Sequence, residues 1–220
     1  MSRGKSPYNT VVHIKTAQLP DLLTFCPNVR NLALWTGNYD PEQLEALHRL
    51  QLTHLSADVN QLSRYHNPGT SAAADDDSNN KDITGSMDLK INATRFFSSL
   101  THVDATVSVQ NWEGCHILSQ LPNLTHVSFL YFSNTKILEP LLTNCPKLVI
   151  VILVRGSQDF HWGYRAREVN EDEARTLPVD DVRVVELSCG FQVMDWKAGA
   201  NGEMDIWRVG EQVVKRRMRN

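Results

Sequence analysis

Residues 121–129 read Leu-Pro-Asn-Leu-Thr-His-Val-Ser-Phe, and the middle of this stretch recurs elsewhere in the chain. Leu124-Thr125-His126-Val127 has close copies at Leu52-Thr53-His54-Leu55 and at Leu100-Thr101-His102-Val103. Apolar and polar residues alternate at the end of each copy, which is the period of a strand with one buried face. Such repetition predicts one structural unit that is built several times and stacked on itself.

The full stretch gives an apolar template whose positions are three, three and two residues apart, and this template fits the chain six times. The last three template positions are Val29/Leu32/Leu34, Leu52/Leu55/Ala57, Leu100/Val103/Ala105, Leu124/Val127/Phe129, Leu148/Val151/Leu153 and Val182/Val185/Leu187. Successive triples begin 23, 48, 24, 24 and 34 residues apart. A period of 23 or 24 residues is typical of leucine-rich repeats. A weaker match at Val11/Ile14/Thr16 is interpreted as an N-terminal cap.

Segments with helical patterns precede several of the predicted strands. They are residues 41–50, where Asp40 is a candidate N-cap and Pro41 a first-turn proline, then 112–121 and 138–144. Each unit is therefore expected to run helix, turn, strand. The sequence predicts an α/β leucine-rich-repeat solenoid in a single domain 1–220, with short parallel strands and about six repeats plus caps.

The two irregular steps indicate insertions rather than extra repeats. Residues 67–82 contain no large apolar side chain and cannot supply a buried strand, so we expect a mobile polar insertion over 66–93. The step of 34 predicts a second insertion over 156–178. Residues 190–220 are expected to cap the last repeat, with a closing helix over 205–219 whose basic end suits a helix C-terminus.

Composition narrows the class of protein. The chain of 220 residues has 22 Lys+Arg against 25 Asp+Glu and a formal net charge of -3, which argues against a nucleic-acid partner. No apolar run reaches the length of a membrane span, so no membrane is predicted. The four cysteines are widely spaced, which favours reduced thiols in a cytoplasmic or nuclear protein. No cofactor or metal is predicted.

One row of side chains on the exposed, concave strand face is the candidate binding site. The partner-binding residues that we expect there are Trp35, His54, Asp58, His102, Asp104, His126, Ser128 and Glu186. The three histidines are expected to form a ladder across neighbouring strands. A ladder of this kind is compatible with packing along the sheet, with a pH-sensitive binding stripe, or with zinc or acid–base chemistry alongside the carboxylates.

The next strand is apolar on both faces, because Ile150, Ile152 and Val154 alternate with the template residues. A strand of this kind is usually covered. The cover is expected to be the second insertion or the C-terminal segment, and the alternative is an exposed patch that binds a partner.

Several longer phrases resemble the repeat region of fungal F-box-like proteins. They are Cys26-Pro27-Asn28-Val29-Arg30-Asn31-Leu32-Ala33-Leu34-Trp35, the stretch 121–129, Leu141-Leu142-Thr143-Asn144-Cys145-Pro146-Lys147-Leu148, and the ending with Asp195-Trp196 and Asp205-Ile206-Trp207. The resemblance implies substrate selection for a ubiquitin ligase. No F-box module, which would dock on the ligase adaptor, is recognisable before the first repeat. The chain is therefore expected to match the substrate-binding part of such an adaptor.

No sequence motif of a known enzyme class is present, so the function predicted from sequence is non-catalytic protein–protein recognition. The partner is an unknown protein. The alternative is a histidine-based, metal-dependent hydrolase on the same strand face.

Overall fold

The computed structural model describes residues 19–34, 47, 50–59, 98–106, 113–130, 135–156, 167–168, 179–189 and 192–219. The predicted insertion 66–93 lies outside the described residues, and so does most of the second insertion and of the helix expected over 41–50. Trp35 and the possible cap at Val11/Ile14/Thr16 also lie outside them.

The described residues form an α/β structure around one sheet with six parallel strands. In chain order the strands are β1 (Asn31–Leu34), β2 (His54–Asp58), β3 (His102–Thr106), β4 (His126–Leu130), β5 (Ile150–Gly156), β6 (Arg167–Glu168) and β7 (Val184–Cys189). They lie side by side as β1-β2-β3-β4-β5-β7-β6. All neighbours pair in parallel except β6, which is antiparallel to β7.

The parallel strands are joined in the register that the repeated template predicts. Leu55 is aligned with Val103, Val103 with Val127, and Val127 with Val151. The template residues therefore form continuous apolar rows across β1 to β5. Strands β2 and β3 are direct neighbours in the sheet. The long sequence step that separates their templates therefore places no further strand between them.

The described helices that precede β5 are short, and the two that follow β7 are longer. They are α1 (Leu19–Phe25), a 3₁₀ helix (Glu113–Gln120), a 3₁₀ turn (Thr135–Ile137) that leads into α2 (Leu138–Asn144), α3 (Gln192–Ala200) and α4 (Ile206–Arg217). Helix α2 tolerates Pro140 because this residue lies in the first turn, where its missing N–H is not needed. Asp205 caps α4 through its side chain, which accepts a hydrogen bond from the Arg208 N–H.

Two separate apolar cores lie on the two faces of the sheet. The larger core contains the template rows together with the short helices, including Leu118, Leu138 and Leu141. The smaller core lies on the other face, where Ile150, Ile152 and Val154 of β5 and Val185 and Leu187 of β7 meet α4. The C-terminal segment thus covers the apolar stripe of β5, as one of the two sequence alternatives predicted.

The sixth template triple is wrong by one residue. Val184, and not Val185, is aligned with Val151, and it belongs to the larger core. Val185 and Leu187 face α4 instead. The pattern misled because β7 has apolar residues on both faces, so hydrophobic spacing does not distinguish one register from the next. The C-terminal helix α4 packs on the strand face at this end of the sheet, where it contacts β5, β7 and the edge strand β6.

Candidate functional site

Three imidazole rings form a stacked ladder on the strand face that carries the smaller core. His54 is aligned with His102, and His102 with His126, in the parallel register of β2, β3 and β4. The ring centroids of each neighbouring pair are 4.0 Å apart, and the ring planes differ by 20° in the first pair and 9° in the second. The ladder predicted from the repeated Thr-His phrase is therefore present, and its rings pack face to face.

Each histidine is oriented by the threonine that precedes it. Thr53, Thr101 and Thr125 place Oγ1 3.0, 2.9 and 2.7 Å from Nδ1 of the following histidine. The same hydroxyls lie 3.0 to 3.2 Å from a backbone carbonyl oxygen of the preceding strand segment. Each Thr-His pair thus has two structural roles: the threonine hydroxyl contacts the preceding strand segment, and it orients the imidazole ring of the histidine.

A carboxylate from α4 completes a hydrogen-bonded chain at His126. Nε2 of His126 lies 3.2 Å from Oε1 of Glu211, whose other oxygen accepts a hydrogen bond of 2.6 Å from Lys215 Nζ. The carbonyl of Thr101 already accepts the N–H groups of Thr125 and His126. The same carbonyl accepts a hydrogen bond of 3.0 Å from the Thr125 hydroxyl. Because a carboxylate oxygen only accepts hydrogen bonds, we infer that Nε2–H of His126 donates to Glu211.

Trp207 covers the inner end of the ladder. Its ring meets His102 at a centroid distance of 5.4 Å and an angle of 82°, and it meets His126 at 5.8 Å and 87°. These are edge-to-face contacts, which suit the charge distribution of aromatic rings. As a result His126 is only 7% exposed, whereas His54 and His102 remain partly accessible.

A second polar row runs beside the ladder on the same face. Asp104 accepts hydrogen bonds from Ser56 Oγ at 2.8 Å and from Ser128 Oγ at 2.5 Å. The two serines are completely buried, and Asp104 is 7% exposed. The three residues are aligned across β2, β3 and β4, so the carboxylate joins three strands through charge-assisted hydrogen bonds.

Burial keeps the ladder uncharged near neutral pH. Desolvation, followed by repulsion from His126, lowers the pKa of His54 to about 4. Desolvation, followed by repulsion from the two flanking histidines, lowers the pKa of His102 to about 2. Desolvation also lowers the pKa of His126, although the hydrogen bond and charge of Glu211 act in the opposite direction.

Asp195 of α3 is a partly buried titratable group that contacts the start of α4. Oδ2 of Asp195 in α3 accepts a hydrogen bond of 3.1 Å from the Ile206 N–H. Desolvation raises the pKa of Asp195 to about 7; the Ile206 N–H opposes this rise, and the nearby carboxylates of Asp205 and Asp104 add to it. The pKa of Asp195 is therefore raised, whereas the pKa values of the three ladder histidines are lowered.

The geometry of the ladder does not suit a metal site. Lone pairs of an imidazole lie in the ring plane, and stacked parallel rings direct them side by side rather than to one point. Among the described residues, no group of three or more His, Cys, Asp or Glu side chains is arranged to hold a metal ion. The interior His102, between two other rings, is also a poor general base because protonation would bring a charge into this stack.

The other residues of the predicted binding row have different positions. Asp58 ends β2 on the ladder face and is partly exposed. Asp104, His126 and Ser128 lie on the predicted face but are buried, so the prediction that they are exposed to a partner is wrong in this structure.

Glu186 was predicted on the ladder face, and this prediction is also wrong. The register aligns Glu186 with Leu153, whose side chain points into the larger core on the opposite face. On that face, Oε1 of Glu186 accepts a hydrogen bond of 2.9 Å from Arg155 Nε. The error follows from the same one-residue slip of β7.

The part of the site that α4 contributes is not predicted from the sequence. Trp207, Gly210 and Glu211 face the strands, and Gly210 lies so close that a Cβ there would be 2.5 Å from Ile150 Cδ1. The available signal was their spacing, because residues three and four apart share one face of a helix. The sequence predicts a closing helix over 205–219, but it does not predict which face of that helix meets the histidine ladder.

No protein-family model, no curated protein and no solved structure matches this chain. None of the helices in the described part of the chain is long and apolar enough to cross a membrane. The function is therefore inferred from the strand face itself.

Proposed function

We propose that the chain is a leucine-rich-repeat-type solenoid that recognises another protein through the strand face near β1 to β3. The observation that carries the proposal is the order of the parallel strands, which follows the chain and keeps one repeated register from β1 to β5. A strand face built by repetition is already ordered before a partner binds. Binding to it therefore costs little conformational entropy.

The part of the strand face that α4 leaves uncovered supports a binding surface near β1 to β3. Helix α4 lies over β5 and β7 and reaches His126, but the contacts of its side chains with the ladder end at His102. Asn31 is exposed at the ladder position of β1, and Ala33, His54 and Asp58 are partly exposed. These residues combine an aromatic ring, a carboxylate and an amide, which suits a polar protein surface with one aromatic anchor.

The class of partner follows only from the resemblance to fungal F-box-like proteins. We propose that the bound protein is a substrate that a ubiquitin ligase receives through this module. The role is non-catalytic, and neither nucleic acid nor a membrane is proposed as a partner. A cytoplasmic or nuclear location agrees with the free thiols of Cys26, Cys145 and Cys189 among the described residues.

Site-specific photo-crosslinking tests the proposed surface. A photoreactive amino acid at Ala33 would report the strand face, and the same amino acid at Glu139, which is exposed on α2, provides the matched control. We expect one protein to be crosslinked in cells from position 33 and not from 139, and Asp58→Lys to reduce its yield at least fivefold. Equal crosslinking from both positions, or none from either, would argue against recognition by this face.

The ligase role needs a separate experiment. The crosslinked protein should carry ubiquitin, and its half-life should lengthen when the gene for this chain is deleted. A partner whose ubiquitination and half-life stay unchanged would support recognition alone and contradict the F-box assignment.

A further inference from the structure

We propose that the part of the histidine ladder that α4 leaves open binds an arginine side chain of the partner protein, with Nε2 of His54 and Nε2 of His102 as the two hydrogen-bond acceptors. The inference rests on the proposed recognition function and adds the chemistry of the residue that the strand face selects. The partner is thereby defined by a planar, positively charged group rather than by an apolar one.

The first argument is the accessible edge of the two rings. In His54 and His102 the side-chain hydrogen bonds involve Nδ1, which contacts the preceding threonine. Both rings are partly exposed. Within the described part of the chain, neither Nε2 atom is among the buried side-chain nitrogens and oxygens that lack a hydrogen-bond partner. Nε2 of each ring therefore reaches solvent at the strand face.

The second argument is the position of the ring protons. The Thr101 hydroxyl donates to the Thr53 carbonyl at 3.0 Å. The Thr53 hydroxyl lies 3.2 Å from the Arg30 carbonyl oxygen and 3.2 Å from Asn31 Oδ1. Each hydroxyl thus has an acceptor other than the ring, and its oxygen is left to accept the Nδ1–H of the following histidine. A neutral ring with its proton on Nδ1 has an unprotonated Nε2, which only accepts hydrogen bonds.

The two acceptors form a pair of fixed geometry. The rings of His54 and His102 have centroids 4.0 Å apart and planes that differ by 20°, and equivalent threonine contacts orient both. Their Nε2 atoms are therefore neighbours that point in one direction. Desolvation lowers the pKa of His54 to about 4 and that of His102 to about 2, so neither ring repels a cation near neutral pH. A guanidinium suits this pair because its N–H donors form a rigid planar fork, whereas an ammonium is a compact point charge.

The surrounding charges also favour a cation. Among the described residues of β1 to β5, the charged side chains on the ladder face are those of Asp58 and Asp104. The guanidinium of Arg30, which precedes β1, donates to the backbone and side-chain oxygens of Gln51. A strand face whose charged groups are carboxylates attracts a positively charged partner and disfavours an acidic one.

Helix α4 shows that a side chain can reach this edge of the ladder from the solvent side. Glu211 contacts Nε2 of His126, and Trp207 packs against His126 and His102. At His126 the carboxylate of the chain itself requires a proton on Nε2. At His54 and His102 no such carboxylate is bound among the described residues, so the acceptor edge is left for a donor from the partner.

Nitrogen NMR on the full chain tests the acceptor pair without a partner. Long-range proton–nitrogen correlation spectra near neutral pH should show a protonated Nδ1 and an unprotonated Nε2 in His54 and in His102. The variants His54→Phe and His102→Phe assign the two sets of signals. A protonated Nε2 in either ring would overturn the proposal, because the pair would then present a donor to the partner.

Crosslinking with modified extracts tests the arginine. The purified chain with a photoreactive amino acid at Ala33 is incubated with cell extract that is untreated, treated with phenylglyoxal to block arginine, or acetylated to block lysine. We expect phenylglyoxal to reduce the crosslinked partner about tenfold or more, as the loss of a hydrogen bond to a charged group would, and acetylation to leave it nearly unchanged. Crosslinking that persists after phenylglyoxal would overturn the arginine assignment and leave recognition intact. No crosslinking from untreated extract would overturn both.

A matched pair of variants makes the result specific to the ladder. His54→Phe keeps a planar ring in the stack but removes Nε2, so it should lower the crosslinking yield about as much as phenylglyoxal does. His116→Gln changes an exposed histidine away from the ladder and should behave as the wild type. A yield from His54→Phe equal to that of the wild type would contradict the role of Nε2. If His54→Phe fails to fold, the spectra and the modified extracts still decide, because both use the wild-type ladder.

Discussion

The same rows of the strand face contain polar side chains on β2 to β4 and apolar side chains on β5. The ladder position holds His54, His102 and His126 on three strands and Ile150 on the next. The adjacent row changes in the same way, from a serine–aspartate–serine set to Ile152. The backbone register is continuous, so the difference lies in the side chains alone.

The two halves are stabilised by different means. The polar half satisfies its groups internally, because each ring has a threonine and Asp104 has two serine hydroxyls. The apolar half has no such partners and needs a cover, which α4 provides. Helix α4 matches both halves, since Gly210 lies over Ile150 and Ile152 while Trp207 and Glu211 face the imidazoles.

The largest effect is expected from placing a charge in the apolar half. Ile152→Asp introduces a carboxylate at a completely buried position under α4, and we expect a loss of about 4 kcal/mol or more in the free energy of unfolding. Urea denaturation measures it. The control Ile152→Val should cost only about 1 kcal/mol. Similar costs for both variants would mean that α4 does not exclude water from this half.

The next effect is expected from removing the carboxylate of the polar half. Asp104→Ala leaves the hydroxyls of Ser56 and Ser128 buried without their shared acceptor, so unfolding free energy should fall by about 3 kcal/mol. Asp104→Asn retains one acceptor oxygen and should cost less than half as much. If alanine and asparagine are equivalent, the two hydrogen bonds do not hold the three strands together.

A smaller effect with a diagnostic sign is expected at the junction of the two halves. A Gly→Ala substitution on an exposed helix surface raises the free energy of unfolding by about 1 kcal/mol. Gly210→Ala should instead destabilise by about 1 to 2 kcal/mol, because its Cβ would meet Ile150 Cδ1. Ile150→Val removes that atom, so the double variant should recover most of the loss. Additive effects of the two changes would contradict the close approach of α4 to β5.

No effect is expected from chelation. Because the stacked rings direct their lone pairs in parallel, EDTA should leave the Tm unchanged and purified protein should hold no stoichiometric zinc. A drop of several degrees in the presence of chelator would revive the hydrolase alternative.

Repetition made much of the fold predictable. The rows through Leu55, Val103, Val127 and Val151 follow from the template, and so does the ladder of histidines, because parallel strands with one repeated register align equivalent residues. Helix α2 and the 3₁₀ helix before β4 also occur where their patterns indicate.

Prediction failed where a segment is apolar on both faces or where two distant segments meet. The alternation in β7 fits two registers equally, and the slip moved Glu186 to the wrong face. Burial of His126 depends on Trp207 and Glu211, which follow about 80 residues later in the chain, and no local pattern reports such a contact.

The sequence by itself determined that one strand unit repeats, which residues form the rows, and that three histidines share a line. These are local properties, because alternation and spacing act within a few residues. Only the tertiary structure decided that α4 lies on that line, that the imidazoles are stacked and neutral, and that the polar row is buried. Those properties depend on desolvation, which a side chain acquires only when another part of the chain covers it.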